Sequence, residues 1–345
     1  MQENKRVIYF DVLNILACFC VIMLHHNGIV HSFSNTIQWK QALIVEVVAY
    51  WAVPVFFMLT GATLLTYSER YSTKVFFEKR VLRIMCPFLF WSVLSLILYN
   101  KWGILSLSDW SAVGIINAII NSKIEAVYWF FPAYFGVCLI IPVLSLLRNE
   151  RKILWYIVGI SFIFSSFLPP ILTLAGIQWN NALCFPMTTY AVYVIWGYLL
   201  STEEQTSKQC IVAMLLAVFA MFFRYVAVYK LSFRDGEKNG LFFNYGYFTA
   251  ILLAVGVFII VKKIVSKYFL NSQRVSSILK TVSSCSFGIY LIHQIVMKIE
   301  RKYFLMDISV ESLSWRTIGA VMTYVVCFIL VYMIKKIPLL RKLVP

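Results

Sequence analysis

Six ionisable side chains of this chain stand inside long apolar runs: Asp11, His25 and His26 in the first, Glu46 near the head of the second, Arg224 in the seventh and His293 in the ninth. Charge is costly there, so each is a candidate for function. Imidazole, with an ordinary pKa of about 6.5, can take a proton from a hydroxyl near neutral pH, which makes His25 a candidate general base. Asp11 and His25 are fourteen residues apart, about 21 Å of helix, so they belong to opposite ends of one span. His26 stands about 100° further round the helix, so the two histidines cannot both point at one site. The plainer reading of the pair is two hydrogen-bonding anchors at a membrane interface. Glu46 opens the next span at the depth of His25. It is placed either to orient and stabilise an imidazolium, as the acid does in a Ser-His-Asp site, or to sit wetted among lipid headgroups. Arg224 shares that depth and could pair with Glu46 or hold an anionic acceptor.

A second cluster, Lys74, Lys79, Arg80 and Arg83, crowds the entry to the third apolar run. On charge count alone it is a plain cytoplasmic-side signal. Arg80 and Arg83 are three residues apart, however, and on an α-helix share a face. Two guanidiniums together suit a dianionic group such as a nucleotide phosphate. The chain has no Gly-rich phosphate loop, so a nucleotide would be held from this basic helix end. Its eight cysteines lie almost entirely within apolar runs and form no Cys-x-x-Cys pair. That is the pattern of small buried hydrophobes, and neither a disulfide framework nor a metal site is expected.

The elements that must position these residues follow from composition. Of 345 residues 61% are hydrophobic and only 13% charged, against roughly 25% charged in a soluble globular domain. Apolar segments near the length a bilayer requires recur from end to end with no linker or repeat. The expectation is an all-α polytopic bundle, a single membrane-embedded domain over 1–345, with about ten spans at 7–30, 43–66, 84–99, 129–147, 153–168, 183–200, 210–229, 246–265, 283–299 and 315–334. The stretch 113–120 is apolar but too short to cross and is expected at the interface. The net charge of +16 is distributed in short clusters between spans, which argues against a nucleic-acid partner and for topology signals. With both termini cytoplasmic, roughly 20 of the 31 basic residues fall inside, the bias that cytoplasmic loops carry.

Five stretches together resemble the acyltransferase-3 superfamily of bacterial membrane O-acyltransferases. They are Tyr9-Phe-Asp-Val-Leu-Asn-Ile-Leu-Ala17 running on to His25, Pro54-Val-Phe-Phe-Met-Leu-Thr-Gly61, Phe77-Glu-Lys-Arg-Val-Leu-Arg83 followed by Pro87, Trp129-Phe-Phe131, and Ser286-Phe-Gly-Ile-Tyr-Leu-Ile-His293. The resemblance implies a multi-pass enzyme of the cell membrane. It would take an acyl group, usually acetyl, from acyl-CoA on the cytoplasmic side and pass it to a hydroxyl of a glycan, lipid-linked saccharide or other envelope component outside. It also implies that His25 is the family's essential first-span histidine, that Arg80 and Arg83 serve the CoA end, and that Tyr290 and His293 belong to a late-span Tyr-Leu-x-His motif. The chain departs from the pattern at Asn14, where many members place an arginine eleven residues before the histidine. Asn14 to His25 is about 16 Å of helix, a depth that an extended pantetheine arm could cover. Two other classes fit the same residues: a secondary transporter or flippase using the intramembrane His, Glu and Arg as a relay, and a non-catalytic membrane sensor or partner.

Overall fold

The computed structural model describes residues 7–106, 110–183, 185, 187, 189–268, 273–304 and 308–345. Among these residues the regular structure is helical throughout, as lipid demands of a chain that must satisfy its backbone groups internally. Among the described residues, nine helical stretches are long and apolar enough to cross a membrane. The first is α1, Ile8–His26. The second, Ile37–Glu69, is two helices, α2 (Ile37–Ala49) and α3 (Ala52–Leu64), separated at Tyr50 and Trp51. Pro54 accounts for the break, since it has no N–H to offer the carbonyl four residues back.

The third stretch begins at Thr73, earlier than the 84–99 expected. It comprises α4 (Thr73–Arg80), a π turn (Val81–Met85) and α5 (Cys86–Lys101). Pro87 follows that turn, and a proline that withholds an i→i−4 bond favours such a widened turn. The short apolar stretch forms α6 (Ala112–Ile120), with Val113, Ile116 and Ile120 exposed. Next come α7 (Phe130–Leu146) and a fifth stretch made of α8 (Arg151–Ser161), a π turn (Phe162–Phe167) and α9 (Leu168–Leu174), again with prolines after the turn.

The sixth expected span is shorter than its neighbours. Here α10 (Thr189–Thr202) has 14 residues, about 21 Å, less than the roughly 30 Å hydrocarbon core. It is an interior helix, with Ala191 to Ile195 all buried. Cys184 and Pro186, within that expected span, lie outside the described residues. The bundle closes with α11 (Ser207–Asp235), α12 (Phe248–Tyr268), α13 (Gln273–Tyr303) and α14 (Ala320–Lys336), the last entered through a π turn at Trp315–Gly319.

Close helix approach relies on small residues, as is usual where lipid removes any hydrophobic drive between helices. A Cβ at Gly61 of α3 would lie 1.9 Å from the Val194 carbonyl oxygen of α10, and one at Gly197 of α10 would lie 1.8 Å from the Met58 carbonyl oxygen of α3. The two backbones therefore touch at reciprocal glycines. On α11, Ala213, Ala217 and Ala220 are buried while Leu215, Val218, Phe219 and Phe222 are exposed. This is the division expected of a helix with one face on its neighbours and the other on lipid.

Candidate active site

Helices α1 and α13 run side by side in the same direction, joined at successive levels. The Asn14 amide donates to the Ser283 carbonyl and hydroxyl, both at 3.0 Å. One turn on, the Cys18 thiol donates to the Ser286 carbonyl at 3.5 Å. Higher still, the rings of His25 and His293 lie 5.1 Å apart. The uncharged Asn14 thus works as a helix tie.

These helices, with α3, α7 and the α4 π-turn region, enclose a cavity of about 400 Å³. One end is polar, lined by Asp11, Asn14, Thr63, Arg80, Ser283 and Ser284; the other is apolar, lined by Val21, Val53, Phe56, Phe130 and Tyr290. Asp11 to Val21 is ten residues of α1, about 15 Å, and His25 stands one turn, about 6 Å, beyond. The apolar end therefore stops one turn short of the two histidines.

Arg80 lines the cavity, and its guanidinium donates to the Tyr134 hydroxyl at 3.4 Å, while its buried Nε has no hydrogen-bond partner. Arg83 is exposed and does not line the cavity. The expected shared face is lost because Arg83 lies in the π turn, whose wider i→i+5 winding takes three-residue neighbours off a common stripe.

The two first-span histidines have different surroundings. His26 is buried, 4.5 Å from the Trp315 ring, with Nε2 2.9 Å from the Thr323 hydroxyl, which itself donates to Glu300. With its proton given to Glu300, Thr323 can only accept from His26, so the three form a directed chain of hydrogen bonds. His25 is half-buried and turned toward α13. There His293 is fully buried, with Nδ1 2.6 Å from the Tyr290 carbonyl and Nε2 unpartnered. A carbonyl only accepts, so a neutral His293 carries its proton on Nδ1 and presents Nε2 as an acceptor. Tyr290 lines the cavity and donates to the Val127 carbonyl.

Glu46 and Arg224 meet, as their shared depth suggested, in an ion pair at 3.7 Å with both side chains buried. Among the described residues no hydrogen bond joins Glu46 to His25, and the ring beside His25 is that of His293. Just outside the spans, Lys238 lies 2.7 Å from Nδ1 of His31. Burial first, and then the adjacent ammonium, hold His31 below the ordinary imidazole range.

Sequence reasoning missed two buried clusters. One is the His26, Thr323 and Glu300 chain. The other joins Glu125, Tyr99 and Lys298, with Lys298 Nζ 2.9 Å from the Tyr99 hydroxyl and 3.2 Å from Glu125. Both draw residues from separate helices, and a signal existed only in the unpaired acids Glu125 and Glu300 beside apolar runs. Among the described residues, no group of three or more His, Cys, Asp or Glu converges as a metal would require.

A family model described as an acyltransferase domain matches residues 7–332. No curated protein and no solved structure matches the chain. The family match takes in every helix that builds the cavity and its histidines, and the same residues form a multi-pass membrane bundle; the chain belongs to the acyltransferase-3 family of membrane acyltransferases.

Proposed function

We propose that the protein is a cell-membrane O-acyltransferase, with both termini cytoplasmic, that moves an acyl group, most often acetyl, from cytoplasmic acyl-CoA to a hydroxyl of an outer saccharide or other envelope component. The observation that carries this reading is the cavity itself, polar where Arg80 and Asp11 line it and apolar up to one turn below His25 and His293. Its depth suits a pantetheine arm. The unpartnered Nε of Arg80 leaves a donor for the phosphate end, and the apolar end suits the thioester.

The reaction then needs no carrier for the whole donor. His25 takes the proton of the acceptor hydroxyl as its oxygen bonds to the thioester carbonyl; the carbon–sulfur bond breaks, and the proton passes to the departing thiolate. Catalysis comes from positioning and proton removal. His293, its Nδ1 fixed on the Tyr290 carbonyl, positions His25 where Glu46 had been expected to. Glu46 instead balances Arg224.

Acetyl-CoA should stabilise the detergent-purified protein in a thermal-shift measurement. Arg80→Ala should weaken that binding by about tenfold or more, as loss of a charged hydrogen bond does. Arg83→Ala, altering an exposed residue outside the cavity, should change it less. Absence of any shift with folded wild-type protein would count against acyl-CoA as donor. Equal losses in the two variants would move the donor's phosphates out of the cavity.

A further inference from the structure

Beside the donor cavity, α2, α11 and the segment 236–247 enclose a cationic cluster that the proton transfer does not use. Arg224 is 1% exposed. Its guanidinium lies 3.1 Å over the Tyr50 ring and 5.2 Å from that of Phe243, and Glu46 is 3.7 Å away. Yet among the described residues none of its three nitrogens has an acceptor in hydrogen-bonding geometry. A buried guanidinium ordinarily has its donors filled, and Arg224, with the Glu46 carboxylate 3.7 Å away as its ion-pair partner, keeps donors to offer to further acceptor oxygens. Lys238, half-buried at the edge of the cluster, adds a second cation 3.7 Å over Phe243. Against the one carboxylate of Glu46, the cluster keeps a net positive charge.

A ladder of aromatic rings runs from this cluster toward the donor cavity. Tyr50 stacks on Tyr245 at 4.3 Å, and Tyr245 on Trp129 at 5.8 Å. Trp129 is 6.0 Å from Tyr190, which stacks on Phe57 at 4.6 Å. Phe57 in turn lies 5.1 Å from Phe130, which lines the apolar end of the cavity. Trp129, Tyr190 and Tyr245 are each half-buried, so part of the ladder is accessible.

Resting on the acyl-transfer reading, we propose that this cluster is the acceptor subsite and that it takes an acidic saccharide. A sugar ring packs its C–H face on Trp129 and Tyr245. Its anionic group meets Lys238 first and then fills the donors of Arg224, leaving a hydroxyl directed toward the donor cavity. Carboxylate and phosphate present the same oxygens to a guanidinium, so the anion could be that of a uronic acid or of a sugar phosphate.

The test is saturation-transfer NMR on the full-length protein in detergent, without acyl-CoA, using methyl glucuronide, glucose 1-phosphate and methyl glucoside as probes. Wild type should bind one or both anionic probes about tenfold or more tighter than the neutral glucoside, the scale of a charged hydrogen-bonded contact. Whichever anion is preferred identifies the source. Arg224→Gln should erase the preference and leave glucoside binding unchanged. Lys238→Gln, at the half-buried edge where folding is least at risk, should reduce it. Trp129→Leu should weaken all three probes. Equal binding of the three by wild type, or a preference that survives in both charge variants, overturns the proposal. Acetyl-CoA thermal shift on the same samples separates the two readings: a retained shift with no sugar preference sinks the subsite alone, whereas loss of both sinks acyl transfer as well.

Discussion

Replacing His25 by alanine will abolish acyl transfer while leaving the amount and thermal midpoint of folded protein close to wild type. A general base contributes about 100-fold to 10,000-fold, so turnover in purified protein should fall at least about 100-fold. The expectation rests on the division of labour between two adjacent imidazoles. His25 is half-buried, facing His293 one turn above the cavity, whereas His26 is committed to Thr323 and Glu300. His26→Ala should have the opposite signature. It removes the donor to Thr323 and opens a void against Trp315, destabilising the fold by roughly 2 kcal/mol, while each surviving molecule turns over near the wild-type rate. Turnover that survives His25→Ala, or that disappears in folded His26→Ala, would reverse the assignment.

Gly61→Ala should prevent accumulation of folded protein. The added methyl would sit 1.9 Å from the Val194 carbonyl oxygen, a backbone atom that cannot swing aside, so α3 and α10 must separate. Overpacking of this kind costs about 3 kcal/mol or more. Gly197→Ala should do the same through the Met58 carbonyl, 1.8 Å from its added Cβ. Since either change opens the same interface, the double variant should be little worse than either single one. Gly136→Ala in α7 and Gly159→Ala in α8 are the controls, as nothing lies within 4 Å of either added Cβ. Both should be neutral or stabilising by up to about 1 kcal/mol, the helix-propensity gain of alanine over glycine. The readout is monodisperse protein on size exclusion together with its thermal midpoint; normal yield of Gly61→Ala would mean that the two backbones do not touch.

Much of the bundle was legible in the sequence because length and apolarity decide where a helix can cross. The depth argument also foresaw that Glu46 and Arg224 could meet, since loops alternate sides and both residues lie near the same end of their spans. Three features escaped it. The π turn that turns Arg83 away from Arg80 is invisible to a reading that assumes one helical period. The interior place of α10 is another: its span reads as short in the sequence, but hydropathy cannot tell an interior helix from a lipid-facing one. The partner of Asn14, Ser283, lies 269 residues away, and no local pattern specifies that contact. His293 posed a related problem: its motif marked it, but only the parallel packing of α1 and α13 brings it to His25 and leaves Glu46 to another partner.

The reciprocal glycines of α3 and α10 also bear on the membrane the protein inhabits. Bilayers differ in thickness by several Å, and most helices accommodate mismatch by tilting or by shifting against their neighbours. Helices whose packing rests on side chains alone can do so. The α3–α10 pair cannot, because its spacing is set by carbonyl oxygens lodged against glycines, whatever lipid surrounds it. Since α3 supplies Val53, Phe56 and Thr60 to the cavity wall, that side of the chamber keeps its place against α10 as other helices adjust to lipid composition or membrane thickness.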